Sequence, residues 1–177
     1  MSGAAFVASA RSADRPNLKD HARASLRARF QEAGWPAWRA DQVLQWIYAR
    51  GVEDVTRMTD LPLALRDRLA ETWDARALAV RGIARSVDGT VKLALSTRDG
   101  AAVEAVLIPE ERRNTLCVST QVGCPLACSF CATGALGFAR NLATSEIVDQ
   151  VLIARANLPP GESLTNVCLL YTSPSPR

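Results

Sequence analysis

Histidine is nearly absent: the 177-residue chain holds one, His21. No histidine therefore stands near the cysteines to complete a four-ligand metal site. No apolar run reaches the roughly 20 residues that a membrane span requires. The opening Met1-Ser-Gly-Ala-Ala-Phe-Val7 has neither the basic n-region nor the long apolar h-region of a secretory signal. There is no internal repeat and no low-complexity tract of functional weight. Five cysteines without a secretory signal read as an intracellular, reduced protein, and a cytoplasmic location is the expectation.

What is present is one ordinary domain, or a small domain with part of a larger one. The formal net charge is only +3, which says little. Locally the sign is less even. Arg11, Arg15, Lys19, Arg23, Arg27, Arg29, Arg39 and Arg50 face four acids over the same stretch, Asp14, Asp20, Glu32 and Asp41. Such a stretch can bind phosphates, although taken alone it reads as a solvated helix face.

The pattern along the chain predicts an α/β protein. Residues 1–19 are small and polar and read as disordered. A helix is expected over 20–34, with Leu26 and Phe30 four apart and Gly34 as its stop. A second follows Pro36, with Ala40, Val43, Leu44 and Ile47 on one stripe and Gly51 at its end. A third covers 61–73, with Leu61, Leu65 and Leu69 on one face. Composition then shifts toward β. Residues 80–86, 91–97 and 102–108, separated by Asp88-Gly89 and Asp99-Gly100, predict a three-stranded meander. Pro109-Glu-Glu-Arg-Arg113 reads as a polar connector and a domain boundary. Leu116–Val122 reads as a buried strand and Ser145–Ala156 as a helix. In that helix Ile147, Val148, Val151 and Leu152 share one side and Ser145 is placed as the cap. Leu164–Leu170 begins another strand. Strand, loop, helix, strand is the opening of a β/α barrel.

The most specific feature is Cys124-Pro-Leu-Ala-Cys128-Ser-Phe-Cys131, a C-x3-C-x2-C run. Three thiolates on one short loop suit an iron–sulfur cluster or zinc. Structural zinc sites use four protein ligands, and no fourth Cys or His lies close in sequence. A three-thiolate site on a four-iron cluster leaves one iron open to a small molecule.

C-x3-C-x-aromatic-C, with Phe130 at the aromatic position, resembles the signature of radical S-adenosylmethionine (SAM) enzymes. The flanks, Arg113-Asn-Thr-Leu-Cys117-Val-Ser-Thr-Gln-Val-Gly-Cys124 and Cys131-Ala-Thr-Gly-Ala-Leu-Gly-Phe-Ala-Arg-Asn-Leu142, narrow it. Together they resemble the RlmN/Cfr-type RNA adenine methyltransferases, over residues 20 to 167. The resemblance is nearest to the dual-specificity type that modifies adenine C2 in 23S ribosomal RNA and transfer RNA.

That resemblance implies a small N-terminal helical module plus β-meander (20–109) that helps hold RNA, then the first part of a partial (β/α)6 radical SAM barrel (110–167). It implies a 4Fe–4S cluster on Cys124, Cys128 and Cys131, SAM as cofactor with Phe130 against its adenine, and an electron donor such as flavodoxin. Gly134 and Gly137 read as turn glycines or points of close backbone approach. By pattern alone Glu104 is a polar residue on an alternating strand and Cys117 a buried core thiol. The resemblance instead makes Glu104 a proton acceptor, and Cys117 the partner of a methyl-carrying cysteine in a transient disulfide. Residues 168–177 depart abruptly from the family pattern and read as a non-native tail. The family's later SAM-gripping stretch and carrier cysteine find no match, so the chain as it stands is expected to be inactive. Two further readings remain: adenine C8 modification conferring antibiotic resistance, and a non-catalytic iron–sulfur RNA-binding module.

Overall fold

The computed structural model describes residues 15–126, 128–129 and 131–169. Residues 1–14 of the expected disordered segment, Phe130 and residues 170–177 of the expected tail lie outside the described residues.

Three helices come first: α1 (Arg23–Glu32), α2 (Trp38–Tyr48) and α3 (Leu63–Thr72). Leu26, Phe30, Val43, Ile47, Leu65 and Leu69 belong to one buried cluster. The predicted helical spacing is thus spent on a shared core. Gly34 has φ +82°, a conformation L side chains rarely adopt, and the first helix stops just before it. Part of the segment expected to be disordered belongs to the fold. Leu18 and Lys19 are completely or almost completely buried, and the Leu18 amide donates to the Asp74 carbonyl at 2.8 Å. An apolar side chain with a place in the core and a cation with buried partners outweigh the segment's polar composition.

The β region follows: β1 (Ala79–Arg85), β2 (Val91–Ser96), β3 (Ala102–Glu110), β4 (Arg113–Val118), β5 (Gln121–Gly123), α4 (Ala132–Ala135), β6 (Phe138–Asn141), α5 (Thr144–Ala156) and β7 (Asn166–Leu169). One sheet runs β1-β2-β3-β4-β7. Its first four strands are antiparallel. β4 and β7 are parallel, with Cys117 opposite Cys168. β5 and β6 form a separate antiparallel ribbon. The meander and the strand–helix–strand unit are therefore one continuous sheet. The polar stretch around Pro109–Arg113 is a hairpin inside it, where Glu110 pairs with Arg113.

The strand expected over Leu116–Val122 is broken. Gln150 of α5 is fully buried. Its Oε1 accepts from the Ser119 amide at 2.8 Å and its Nε2 donates to the Ser119 carbonyl at 2.9 Å. A side-chain amide satisfies the backbone at the point where the ladder stops, and the chain leaves the sheet there.

The helix α5 also departs from its expected stripe. Its buried residues are Ser145, Glu146, Asp149, Gln150 and Ala154, four of them polar. Its apolar residues divide: Leu152 packs on the helical core, whereas Ile147, Val151 and Ile153 pack on the sheet core. Ser145 is not the cap. Its amide donates to Asp20 Oδ1 at 2.7 Å, and the Ala143 amide donates to Glu146 Oε2 at 2.8 Å. Two carboxylates thus take the first-turn amides that no helix can satisfy internally.

Lys19 ties the two regions together. Its ammonium donates to Glu53 Oε1 at 2.6 Å and to Asp149 Oδ1. Asp149 Oδ2 accepts from the amides of Ala77 and Leu78 at 2.6 and 2.9 Å. A fully buried cation is tolerable only with such compensation.

Candidate functional site

Strand alternation gives the sheet two unlike faces. On β3, Val103, Ala105 and Leu107 are buried, while Glu104, Val106 and Ile108 alternate with them and are only partly covered. On β4, Leu116 and Val118 are buried, and Cys117 lies between them on the opposite face. The buried set packs with residues of α5. The other face carries the candidate chemistry.

Register brings Glu104 and Cys117 to that same face. Val106 is opposite Cys117, so Glu104, two residues earlier, is its diagonal neighbour. Such neighbours stand about 7–8 Å apart, within reach of a common small ring. Glu104 Oε1 lies 2.8 Å from Lys92 Nζ, an ion pair between half-exposed side chains. The Glu104 carbonyl accepts from Ser119 Oγ at 2.7 Å, which fixes the strand just after Cys117. Cys117 is not the fully buried core thiol that pattern alone suggested. Its Sγ is 2.7 Å from Cys168 Sγ, and all five cysteines are free. Burial first, and then the neighbouring Cys168, push the Cys117 thiol up to about 11. It is therefore a protonated thiol at neutral pH.

The cysteine loop hangs from the β5–β6 ribbon, beyond the end of β4. Its base is a glycine pair. The Cys124 amide donates to the Gly137 carbonyl at 3.0 Å. Gly123 has φ +74°, and a Cβ built on it would stand 1.7 Å from that same carbonyl oxygen. Only glycine fits there. Cys124 is buried, whereas Cys128 and Cys131 are partly covered. The Cys131 amide donates to the Cys128 carbonyl at 3.0 Å. The donor set fits an iron–sulfur cluster in its chemistry: three free thiols on one loop with both ends pinned. Among the described residues, however, no three His, Cys, Asp or Glu side chains are gathered to hold a metal ion.

Arg140 of β6 anchors the loop's return strand. Its Nε and Nη2 donate to Asp99 at 2.8 and 3.1 Å, and its Nη1 and Nη2 donate to Glu146 at 2.8 and 2.9 Å. One guanidinium thus joins the β2–β3 turn, the ribbon and the start of α5. Arg140 beside it, with Thr97 assisting, holds the Asp99 carboxyl well below the usual carboxylate range.

Of the residues singled out from sequence, Glu104 and Cys117 share one sheet face, and the three loop cysteines lie on the segment that follows β4. Gly137 sits at a close approach; Gly134 lies within α4. Phe130 lies outside the described residues. Sequence reasoning missed Gly123, Arg140 and Gln150. Gly123, next to the first cysteine, carried a signal in its position; Arg140 and Gln150 carried none, because their partners are distant in the chain.

Residues 16–74 match the family model for the "Ribosomal RNA large subunit methyltransferase N-terminal domain". The chain is 47% identical over 148 residues to the dual-specificity RNA methyltransferase RlmN of Halorhodospira halophila, covering 84% of this chain and 41% of that protein. It is 43% identical over 162 residues to the RlmN of Marinobacter nauticus, covering 89% and 44%. A radical SAM methyltransferase from Sphaerobacter thermophilus shares the fold with a TM-score of 0.82 at 40% identity, over 86% of this chain and 45% of that one. The chain thus spans about two fifths of the length of these curated relatives. The helical module matches the RlmN-type N-terminal domain, and the chain as a whole is similar to about two fifths of the RlmN RNA methyltransferases and of a radical SAM methyltransferase of the same fold.

Proposed function

We propose that this chain carries the cluster loop and the proton-accepting face of an RNA methyltransferase that modifies adenine C2 in 23S ribosomal RNA and transfer RNA. The observation that carries the reading is Glu104 beside Cys117 on the open sheet face, with the three-cysteine loop on the segment that leaves the same strand. Cys124, Cys128 and Cys131 are the residues that would hold a 4Fe–4S cluster, which, supplied with an electron by a donor such as flavodoxin, supplies reductive cleavage of SAM. Glu104 accepts the proton that an adenine ring carbon must lose once it has gained a methyl group. Lys92 holds that carboxylate in place from the neighbouring strand. Cys117, protonated and half-covered, is kept for a later step, as the thiol that meets a methyl-carrying cysteine. The helical module, with its uneven basic charge, holds the RNA.

The test separates the roles. Anaerobic reconstitution with iron and sulfide should give a brown protein. Cys124→Ala, Cys128→Ala or Cys131→Ala should abolish the colour, and Cys117→Ala should keep it. In an enzyme extended to the relatives' full length, Glu104→Ala and Cys117→Ala should still cleave SAM yet fail to methylate RNA. A nucleoside digest read by mass spectrometry distinguishes C2 from C8 product. Wild-type turnover in Glu104→Ala would return that residue to an ordinary strand position.

A further inference from the structure

The helical module holds a pocket of about 330 Å³ between α1 and α3. Phe30, Trp35 and Trp73 give it aromatic walls, and Arg29 and Arg68 stand at its rim with Glu32. Most arginines elsewhere are tied. Arg140, Arg23, Arg98 and Arg113 each hold a carboxylate, and Arg66 and Arg155 donate to backbone carbonyls. Arg29 and Arg68 are exposed, and among the described residues neither side chain makes a hydrogen bond or ion pair. Arg29 lies 5.8 Å from the Trp73 ring centroid, which orients it without using up its N–H donors. Trp73 also meets His21, edge to face at 5.0 Å, and packs against the helical core. The indole is therefore held in one orientation.

Preset aromatic faces beside unused guanidinium donors are what an unstacked base and its phosphate require. The volume lies at the small end of the about 300–1,000 Å³ typical of ligand sites, which suits one nucleotide and not a duplex. We propose that this pocket seats a single unpaired nucleotide of the RNA partner, with its base against the tryptophans and its phosphates on Arg29 and Arg68. The inference rests on the reading of the chain as an RNA-acting enzyme, and it names where that RNA is gripped away from the sheet.

The experiment uses the whole 177-residue chain with a transfer RNA and a single-stranded RNA pentanucleotide carrying 4-thiouridine. Photo-crosslinks of the pentanucleotide should map to peptides containing Trp35 or Trp73. Trp73→Ala should weaken its binding about tenfold or more. Arg29→Ala and Arg68→Ala should each lower the slope of log affinity against log salt by about 1 for the transfer RNA. Trp73 also packs against the helical core, so Arg68→Glu at an exposed position is the companion variant: it should keep the thermal midpoint and lose binding. If the wild-type chain binds transfer RNA while Arg29→Ala and Arg68→Glu bind it equally well, or crosslinks map elsewhere, the pocket is wrong and the RNA reading stands. If the wild-type chain binds neither RNA, the RNA reading fails and takes the pocket with it.

Discussion

The helical module and the sheet bury their apolar residues differently. In the module, three helices close around one cluster, and nearly all of its members come from residues 18 to 75. In the sheet, only one face is closed, by α5, while the other keeps Glu104, Lys92 and Cys117 accessible. At its edge, among the described residues, β7 pairs with β4 alone, and its Val167 and Leu169 are about half exposed. The closed module, by contrast, has only its outer surface and the pocket between α1 and α3 to offer a partner.

The largest way to break this comparison is at the joint. Lys19→Ala would leave Glu53 and Asp149 together without their shared cation, and the cost should be about 3–5 kcal/mol. Urea unfolding followed by tryptophan fluorescence would check it; a loss under about 1 kcal/mol would mean the joint does not hold the two regions together. Next comes the contrast between the sheet's two faces. Leu93→Ala, at a fully buried position, should lower stability by about 2–5 kcal/mol. Glu104→Ala removes one half-exposed ion pair and should cost less than about 1 kcal/mol. Equal costs in denaturant titrations would erase the distinction between faces. The smallest effect is kinetic. The Cys117 thiol titrates near 11, so its alkylation by iodoacetamide should be slow at pH 8 and accelerate as pH rises toward 11. This follows because only the thiolate reacts. Mass mapping of alkylated peptides would show it, and a rate at pH 8 matching an ordinary exposed thiol would overturn the placement.

Much of this was legible in the sequence because it is local. Gly34 and Gly51 ended helices at the expected places, and the turns at Asp88-Gly89 and Asp99-Gly100 separate the strands as their residues announce. The cysteine spacing announced the loop before any fold was known. What stayed hidden depends on long-range partners. Nothing near Gln150 says that its amide will stop a strand at Ser119. Apolar periodicity misread α5 because two different cores take its apolar residues, while its most buried positions are polar groups satisfied by backbone. The chemistry of Cys117 and Glu104 could be read only through family resemblance. Their shared face follows from a register that neither strand shows by itself.

Lys19 and Asp149 are 130 residues apart in the chain, which carries a consequence in time. A ribosome adding about 5–20 residues per second needs on the order of ten seconds to make the second after the first. Glu53, only 34 residues on, arrives much sooner. A nascent module that closes early does so with its lysine held by one carboxylate and facing water. Burial of that ammonium is completed only when α5 emerges. The order of synthesis thus puts the module's underside in water until the helix that seals it exists, so the charge is never required to be enclosed before its second partner is made.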